Sequence, residues 1–384
     1  MVKATVVVIT RDRPWKVKRL IESVFGPELP CLSLVLIDDS TSENFKKIER
    51  SLAPYADVCQ HRSSTEVKSH IENVLKQTGL TPTQKSCLKV CVGLKSPFHK
   101  FARSLSRINL FRDQFLALLS QSFAPYSTAR NLGIYSAHRE FNAQRIVFLD
   151  DDCYIRRPER LMDALQLVGE RMEGKEIVAV SGLYQDLSLY NGDRTHRYQK
   201  PTPTAILTGM KTFLKCSFLT QQEQRLAIMP SHILGGALIL SDKVFLRLPF
   251  DPFIPRGEDH AYLIDFKARF TRDFTMVRDN LFVVQHDPPS IKPRRLQEKN
   301  ILRDIFRFIY LRFKVDQCPI PFFTTRWALK SLVGMFLEPS NSECRLLQLW
   351  ALLFLARLYA KRNAHKYSNI VVAWRFFLEQ LGTD

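Results

Sequence analysis

The sequence predicts an α/β fold in which a mainly parallel sheet carries helices on both faces, and three observations support this. Apolar runs without a polar break, such as residues 4–9 and 34–37, are typical of strands covered on both sides. Amphipathic stretches with helical spacing separate such runs, beginning with the segment that follows Pro14. Because strand and helix signals alternate, parallel strands joined by crossover helices are favoured.

The alternation is interrupted once, between about residues 54 and 124. This stretch is rich in Lys, Ser and Gln and contains amphipathic segments, so we predict a mostly helical insertion. Gly26 and Pro27 end the helix that Pro14 begins. Beyond the insertion, the predicted helices are 126–138, 158–172 and 259–270, and the predicted strands are 145–149, 177–180, 234–240 and 281–284.

Length and composition indicate a globular chain with an uneven distribution of charge. The chain has 384 residues, of which 45% are hydrophobic and 11% aromatic, enough to bury a sizeable core. Its formal net charge of +18 favours anionic partners such as nucleotides, phosphates, nucleic acid or an acidic membrane surface. Half of that excess lies in residues 291–384, which hold 16 Lys and Arg against 7 Asp and Glu. We therefore divide the chain into a domain at 1–290 and a basic C-terminal region at 291–384.

The cysteines and the apolar segments favour a cytoplasmic location. The first apolar run is short and soon interrupted by charged residues, which argues against a signal peptide. The eight cysteines are scattered and form no CxxC pair, as expected of reduced thiols. The longest apolar stretch, residues 346–360, contains Gln348 and Arg357 and falls short of the ~20 residues that a membrane-spanning helix needs.

Three adjacent carboxylates, Asp150, Asp151 and Asp152, form the strongest local signal for chemistry. They follow the apolar run 146–149 and are therefore predicted to lie at the end of a buried strand. Adjacent carboxylates raise one another's pKa unless a cation neutralises them, and a small cluster of oxygen ligands suits Mg²⁺ or Mn²⁺. The alternative is a solvated acidic turn that caps the next helix, but the buried strand before the triplet favours the metal site.

Polar residues also follow other predicted strands or begin predicted helices. Asp38 and Asp39 follow the second predicted strand, where ligands of such sheets bind. Asp39 could accept a hydrogen bond from a base or a ribose hydroxyl, or the pair could cap the helix that Ser42 begins. Arg130 and Asn131 offer a guanidinium and an amide near a helix start, and they either contact phosphate or nucleoside or tie that helix to the sheet.

Two further segments contain candidate residues. Glu258 and Asp259 precede a predicted helix, where carboxylates often only cap the helix. Alternatively, Asp259 is a general base toward a hydroxyl group, Glu258 positions the molecule that carries it, and the neighbouring Arg256 contacts phosphate. His286 follows the last predicted strand, and a histidine there is usually structural, although Mn²⁺ accepts an imidazole ligand.

In combination and in order, these segments resemble glycosyltransferase family 2, whose members have the GT-A fold. The similar segments are VVVITRDRP at 6–14, LIDDS at 36–40, ARNLG at 129–133, FLDDD at 148–152, GGA at 235–237 and ED at 258–259. They resemble, in turn, the family's donor-binding turn, its second-strand acidic pair, its ARNxG helix, its metal-binding DxD element, the loop before its acceptor site and its catalytic-base motif. The resemblance covers about residues 3–289 apart from the insertion.

The resemblance implies a metal-dependent, inverting transfer of a sugar from a nucleotide-sugar donor, UDP- or GDP-linked, to a hydroxyl of a glycan or lipid-linked acceptor. The sequence departs from the family pattern in two places. Ser40 and Thr41 stand where the family usually has a glycine after the acidic pair, and the insertion is longer than in the plainest members. These departures concern the identity of the base and the shape of the acceptor site.

The resemblance also implies a role for each similar residue. Asp39 would recognise the base, and Asp259 would be the catalytic base with Glu258 beside it. The implied metal ligands, for Mn²⁺ or Mg²⁺, are Asp150, Asp152 and His286, with Asp150 also near the ribose. The remaining donor contacts would be Thr10, Arg11, Arg13, Arg130, Asn131 and Asp151, and the acceptor contacts Gly235, Gly236 and Arg256.

Three other functions stay open on the sequence alone. A nucleotidyltransferase would need a glycine-rich basic loop after the first strand, whereas residues 11–13 supply charge without glycine. A nucleic-acid-binding protein or a metal nuclease would fit the charge, but the sequence has no RNP, KH, zinc-finger or helix-turn-helix signature, so nucleic acid is not an expected partner. An inactive scaffold is disfavoured because the acidic set is complete.

The C-terminal region is predicted to form amphipathic helices from Asn300 onward, with bulky apolar residues at helical spacing among arginines. One interpretation is a helical subdomain that packs on the sheet and leaves its basic face in water. The other is an interfacial helix on an anionic bilayer, which would place the protein peripherally at the inner face of the membrane, near a lipid-linked acceptor.

Overall fold

The computed structural model describes residues 3–25, 32–96, 126–186, 225–230 and 233–287, six residues between 303 and 314 (303, 307, 310, 311, 313 and 314), and 344–381. At its centre is one mixed sheet. Its strands are, in chain order, β1 (Ala4–Thr10), β2 (Leu32–Asp38), β3 (Cys59–Ser63), β4 (Arg145–Asp150), β5 (Cys153–Ile155), β6 (Arg171–Met172), β7 (Lys175–Asp186), β8 (Leu226–Ile228), β9 (Ala237–Ser241) and β10 (Phe274–His286).

The order of the strands confirms the predicted α/β class. The sheet runs β3-β2-β1-β4-β9-β7-β10-β5, with β6 beside β7 and β8 beside β10. Along the main path, β1, β2, β3, β4, β7 and β10 point the same way, whereas β9 and β5 run antiparallel to their neighbours. The sheet is therefore mainly parallel, with a reversed strand between its two parallel parts.

Helices cover both faces of this sheet. They are α1 (Pro14–Val24), α2 (Ser42–Leu52), α3 (Ser64–Gln77), α4 (Pro82–Cys91), α5 (Tyr126–Phe141), α6 (Pro158–Leu167), α7 (Asp242–Phe245), α8 (Glu258–Arg269) and α9 (Cys344–Leu381), and a 3₁₀ helix spans Ala53–Val58. Proline at the first helical position starts α1, and capping boxes that begin at Ser63 and Thr81 start α3 and α4.

Each face of the sheet has its own apolar core. Along β1, Val7 belongs to one core and Val6 and Val8 to the other, as the alternation of side chains along a strand requires. Helices α1, α2 and α6 complete the core of Val6 and Val8. Helices α3, α4, α5, α8 and α9 pack on the face of Val7, so both faces are covered as predicted.

The C-terminal helix is part of the core on the Val7 face. Trp374 and Phe377 are fully buried there, and Trp374 Nε1 donates a 3.0 Å hydrogen bond to the carbonyl oxygen of Phe245. Tyr367 Oη donates another, of 2.7 Å, to the carbonyl oxygen of Pro249. This half of α9 therefore packs into the same core as the sheet. Among the described helices, none combines the length and the apolarity that a membrane crossing requires.

The structure corrects two predicted boundaries. The segment predicted as a mostly helical insertion from about residue 54 contains β3, which pairs in parallel with β2. The α-helices of this segment begin only with α3. The sequence of β3, CQHRS, lacks an apolar run because an edge strand is only half covered. The helix predicted for 158–172 ends at Leu167, where Gly169 takes a left-handed φ of 101° and the chain turns into β6. Residues 97–125 lie outside the described part of the chain.

Strand register brings distant polar residues together. In β1, Ile9 pairs with Asp150 of β4, and Thr10 pairs with Asp38 of β2. The carboxyl ends of these three strands therefore lie side by side. On the other side of β4, Leu149 pairs with Ala237, which places the two glycines before β9 next to Asp150.

Candidate active site

The three aspartates at the end of β4 have different surroundings. Asp151 is buried and bound by the protein itself: Thr10 Oγ1 donates to its Oδ2 at 2.8 Å, and Arg13 Nη1 donates to its Oδ1 at 2.7 Å. Burial raises the pKa of Asp151 to about 6, and the charge of Arg13 opposes this shift only in part. Asp151 therefore fixes the turn after β1 instead of facing a ligand.

Asp150 and Asp152 are placed to hold a cation. Ligand atoms of Asp150, Asp152 and Cys153 lie within 4.8 Å of one another. His286 Nε2 is 3.5 Å from Asp152 Oδ1, because the end of β10 pairs with β5 and sets His286 opposite Cys153. Burial raises the pKa of Asp152, and the charge of Asp150 adds to the shift, whereas burial keeps the Cys153 thiol protonated by raising its pKa. The donor set is therefore mainly oxygen and nitrogen.

Tyr184, on β7, contacts the aspartate group, and its local sequence did not predict this contact. Its hydroxyl donates a 2.7 Å hydrogen bond to Asp150 Oδ2 and accepts one of 2.9 Å from the backbone nitrogen of Gly236. Its ring stacks on His286, with centroids 4.8 Å apart and planes 15° from parallel. The strand predicted for residues 177–180 continues to Asp186, and only that continuation brings Tyr184 to the site.

Arg130 joins the aspartates to the start of α8. Its guanidinium donates to Asp150 Oδ1 at 3.2 Å, to Glu258 Oε1 at 3.0 Å and to the carbonyl oxygen of Gly235 at 2.8 Å. Burial acts to lower the pKa of Arg130, but the charges of Glu258 and Asp150 outweigh it and the pKa is raised. Arg130 is therefore a fixed cation between two groups of carboxylates.

Asn131 does not line the site, which corrects its assignment as a donor contact. It is fully buried, and its amide nitrogen donates to the carbonyl oxygens of Cys91 and Phe250 at 3.0 and 2.9 Å. Its Oδ1 accepts a 2.8 Å hydrogen bond from the Phe250 backbone nitrogen. With both ends of the amide engaged by main chain, Asn131 ties α5 to the last residue of α4 and to the loop at Phe250, which is a structural role.

The glycine pair before β9 lies between the aspartates and α8. A Cβ on Gly235 would crowd Arg130 and Asp259, and one on Gly236 would collide with the carboxylate of Asp150 and the hydroxyl of Tyr184. Glycine is needed here because the backbone passes so close to these side chains. Gly235 also holds Asp259 directly, since its backbone nitrogen donates to Asp259 Oδ2 at 3.0 Å.

The two carboxylates at the start of α8 differ in access. Glu258 is buried against Arg130, and burial raises its pKa despite that partner. Asp259 is only partly buried and accepts the hydrogen bonds of Gly235 and of the His260 backbone nitrogen. Arg256 is half-buried just before this helix. Of the two carboxylates, Asp259 is the one that a ligand can reach.

The acidic pair after β2 occupies the other end of the site. Asp38 is buried, with its Oδ2 2.9 Å from His61 Nε2 and its Oδ1 bound by the backbone nitrogen of Ser40. Asp39 is exposed and accepts a hydrogen bond from Ser64 Oγ, at the start of α3. Asp38 is thus structural, while Asp39 remains at the surface of the site beside β1.

Asp12 organises the turn after β1, a role that the sequence analysis missed. Its Oδ1 accepts hydrogen bonds from the backbone nitrogen and the hydroxyl of Thr41, at 2.8 and 3.0 Å, and from Asn44 at 3.0 Å. Its φ of 55° is left-handed, which aspartate tolerates better than most residues. The neighbouring Arg11 is exposed.

Hydrogen bonds and ion pairs connect nearly all of these residues into one network. The backbone of Asp39 bonds to that of Thr10, Thr10 bonds to Asp151, and Arg13 bridges Asp151 and Asp152. From Asp150 the network continues through Arg130 and the glycine pair to the two carboxylates of α8, Glu258 and Asp259. Carboxylates from three separate stretches of the sequence therefore belong to one network.

Comparisons with known proteins give neighbours by structure but none by sequence. No family model matches the chain, and no curated protein matches it. Among solved structures, the mannosyltransferase PcManGT from Pyrobaculum calidifontis, in complex with GDP-Man and Mn²⁺, is 13% identical with a TM-score of 0.45, over 97% of this chain and 85% of that one.

Two further solved structures are similar at the same level. Glucosyl-3-phosphoglycerate synthase from Mycobacterium tuberculosis, in complex with Mn²⁺, UDP and glucosyl-3-phosphoglycerate, is 17% identical with a TM-score of 0.43, over 83% of this chain and 81% of that one. Residues 1–349 of S. aureus TarS are 13% identical with a TM-score of 0.43, over 99% and 91%. These values are too low to transfer an activity, so the function is argued from the site.

Proposed function

We propose that the protein is a divalent-metal-dependent glycosyltransferase of the GT-A type, which moves a sugar from a UDP- or GDP-sugar to an acceptor hydroxyl. The observation that carries the proposal is the network around Arg130. On one side of this arginine lie the candidate cation ligands Asp150 and Asp152, with His286 3.5 Å from Asp152, and on the other side stands the reachable carboxylate of Asp259. A site of this kind can bind a diphosphate through a metal and remove a proton nearby.

The charges of the site fit a divalent cation. Four carboxylates, those of Asp150, Asp151, Asp152 and Glu258, are paired with only two guanidiniums, those of Arg13 and Arg130. This excess of carboxylates suits Mn²⁺ or Mg²⁺, which take carboxylate oxygens, and Mn²⁺ also accepts imidazole. When bound, such a cation stabilises the negative charge that grows on the leaving diphosphate.

The donor is assigned to the turn after β1 and to the end of β2. Arg13 bridges Asp151 and Asp152, so its guanidinium stands where a phosphate bound to the cation would lie. Asp39 is exposed just after the end of β2, where it can accept a hydrogen bond from a base or ribose. Thr10 acts through Asp151, and Arg11 is an exposed cation beside them.

Asp259 is proposed as the general base of a single, inverting displacement. Two backbone N–H groups hold its carboxylate, one from Gly235 and one from His260, so the base is oriented. It removes the proton of the acceptor hydroxyl as the oxygen attacks the anomeric carbon from the face opposite the diphosphate. Glu258 is buried in its ion pair with Arg130 and is proposed to position that arginine instead of taking the proton.

Replacing Asp259 with Asn tests this role. Loss of a general base typically slows a reaction by about 10²–10⁴-fold, whereas the amide preserves the shape of the side chain. We expect transfer to fall by at least about 10²-fold while binding of Mn²⁺ and donor is retained, as measured by initial rates and calorimetry. Asp273→Asn, an exposed carboxylate beyond the far end of α8, is the matched control. Near-normal turnover by Asp259→Asn would refute the assignment.

The donor itself can be identified by thermal shift. Stabilisation by one sugar nucleotide that requires Mn²⁺ supports the proposal and fixes the base. Release of pyrophosphate from a nucleoside triphosphate would favour a nucleotidyltransferase instead. A salt-sensitive gel shift without any binding of sugar nucleotides would favour a nucleic-acid-binding protein.

We further propose an acceptor that is a glycan or a lipid-linked molecule, reached at an anionic membrane surface. The outer side of α9 has half-exposed Leu358, Val372 and Phe376, with Lys361 and Arg362 exposed on the same helix. Apolar and basic side chains together suit the interface of an anionic bilayer. The protein should co-sediment with vesicles of anionic phospholipid at low salt. The double variant Val372→Glu, Phe376→Glu should stay in the supernatant. Equal sedimentation of both proteins would contradict this part of the proposal.

A further inference from the structure

Tyr184 connects three parts of the site that come from different stretches of sequence. Its hydroxyl bonds to Asp150, which follows β4, and to Gly236, which precedes β9, and its ring lies on His286 at the end of β10. The residue is partly buried against the core on the Val6 and Val8 face, and its hydroxyl is engaged by both partners. A tyrosine used only as core filling would contact apolar side chains, whereas this one contacts two candidate metal ligands.

The direction of the two hydrogen bonds is fixed by chemistry. A backbone N–H can only donate, so Gly236 donates to the phenolic oxygen, and an ionised carboxylate can only accept, so the phenolic proton points at Asp150 Oδ2. Burial and the charge of Asp150 raise the pKa of Tyr184, which keeps this proton in place. The two hydrogen bonds therefore run in one direction, from Gly236 to Tyr184 and from Tyr184 to Asp150.

This chain and Arg130 together determine where Asp150 points. Arg130 occupies Oδ1 of Asp150 and Tyr184 occupies Oδ2, so the carboxylate is held at both oxygens, each of which keeps a lone pair for a cation. The Tyr184 ring also stacks in parallel on the imidazole of His286 and restrains it. Groups that orient metal ligands in this way usually change metal affinity by about 10–100-fold when they are removed.

We propose that Tyr184 is a positioning residue of the metal site: it sets the Asp150 carboxylate and the His286 ring for a divalent cation and ties both to the glycine pair that holds Asp259. The inference rests on the proposed function, because it requires that Asp150 and His286 bind a metal. It extends that function by naming a residue that touches neither donor nor acceptor and yet determines how tightly the metal is held.

The test compares Tyr184→Phe with Tyr262→Phe in the full chain. Both variants remove one tyrosine hydroxyl, but the Tyr184 hydroxyl bonds to Asp150, whereas the fully buried Tyr262 packs against Phe250 in the core. Mn²⁺ alone is titrated into each metal-free protein, and the dissociation constant is read by calorimetry or by the paramagnetic resonance of free Mn²⁺. We expect a 10–100-fold weaker Mn²⁺ affinity for Tyr184→Phe and a change within about twofold for Tyr262→Phe. Equal affinities in the two variants would overturn the inference.

A second variant separates the hydroxyl from the ring. Tyr184→Phe keeps the stack on His286, whereas Tyr184→Leu removes it as well, so Mn²⁺ affinity should fall further in Tyr184→Leu than in Tyr184→Phe. If both variants bind Mn²⁺ as the wild type does, Tyr184 has no positioning role, although the proposed function stands. If the wild type itself binds no Mn²⁺, the proposed function fails first. Thermal unfolding of each variant in EDTA shows whether a loss of affinity merely reflects loss of fold.

Discussion

Two clusters of buried carboxylates in this protein differ in the source of their positive charge. Asp251 and Asp265 share Lys314, whose Nζ lies 2.7 and 2.6 Å from their oxygens, and all three side chains are buried. The same ammonium lies 3.6 Å from the centre of the Tyr367 ring on α9. We call these three charged residues the lysine cluster. Its cation belongs to the chain, and none of the three side chains is more than 5% exposed.

The aspartate cluster, Asp150 to Asp152, is built in the opposite way. Its carboxylates outnumber the arginines that reach them, and the side chain of Asp150 is 39% exposed. Carboxylates that exceed their internal partners and stay open to solvent favour an external cation. The comparison teaches that burial of acidic groups alone does not mark a functional site. What distinguishes the aspartate cluster is that its excess of carboxylates lies at a place that a ligand can enter.

The largest effect is expected from breaking the lysine cluster. Lys314→Met leaves two buried carboxylates without their cation, and removing one partner of a buried ion pair typically costs about 3–5 kcal/mol of folding free energy. Denaturant unfolding should show this loss. As a control, Arg375→Gln removes an exposed pair with Glu379 and should change stability by less than about 0.5 kcal/mol.

The lysine cluster also permits a compensating variant. Adding Asp251→Asn and Asp265→Asn to Lys314→Met removes the unpaired charges, so part of the lost stability should return. If Lys314→Met is no less stable than the arginine control, the cluster is not a buried ion pair in solution and the comparison fails.

Removing a charge from the aspartate cluster should have the opposite effect on the stability of the metal-free protein. Asp152→Asn relieves repulsion in the metal-free protein, because burial and the charge of Asp150 raise the pKa of Asp152, so stability in EDTA should be kept or increased. The stabilisation by Mn²⁺, about 2.7 kcal/mol for the wild type at a concentration 100 times its dissociation constant, should disappear. Thermal unfolding with EDTA and with Mn²⁺ measures both. A variant that loses stability in EDTA and keeps its response to Mn²⁺ would reverse the assignment.

A smaller and graded effect is expected from pH. The pKa of Asp151 is raised to about 6, so the folded, metal-free protein takes up a proton between pH 6 and the unfolded value near 3.8. This proton stabilises the metal-free fold as the pH falls through that window. A nearby cation disfavours the same proton, so Mn²⁺ affinity should fall by about tenfold per pH unit below 6. Calorimetric titrations from pH 7.5 to 5 test this, and an affinity that is constant over the range would speak against it.

The residues proposed for the donor half of the site could be chosen from the sequence because their signals are local. Short apolar runs end directly in acidic residues at Asp38 and Asp150, and parallel register then places these ends together. The α/β class followed from the same runs. No long-range contact had to be known to find Asp39, Asp150 or Asp152.

The residues that were missed depend on long-range contacts or on strands without an apolar signature. Tyr184 lies beyond the apolar part of β7, and Phe274 to Asn280 of β10 carry Arg278 and Asp279 inside a strand that was predicted to begin at residue 281. Lys314 and Asp12 gain their roles only from partners far away in the sequence. Asn131 is the opposite case: it lies in a motif that predicted a ligand contact, but its amide is bound by the main chain of Cys91 and Phe250.

Calorimetry of UDP and GDP binding, with and without Mn²⁺, tests the central claim most directly. We predict that one of these nucleotides binds the wild type and Asp259→Asn only when Mn²⁺ is present, and that Asp152→Asn binds neither nucleotide under either condition. Binding of a nucleoside diphosphate that is equally strong in EDTA, or that survives Asp152→Asn, would contradict a metal-held diphosphate at the end of β4.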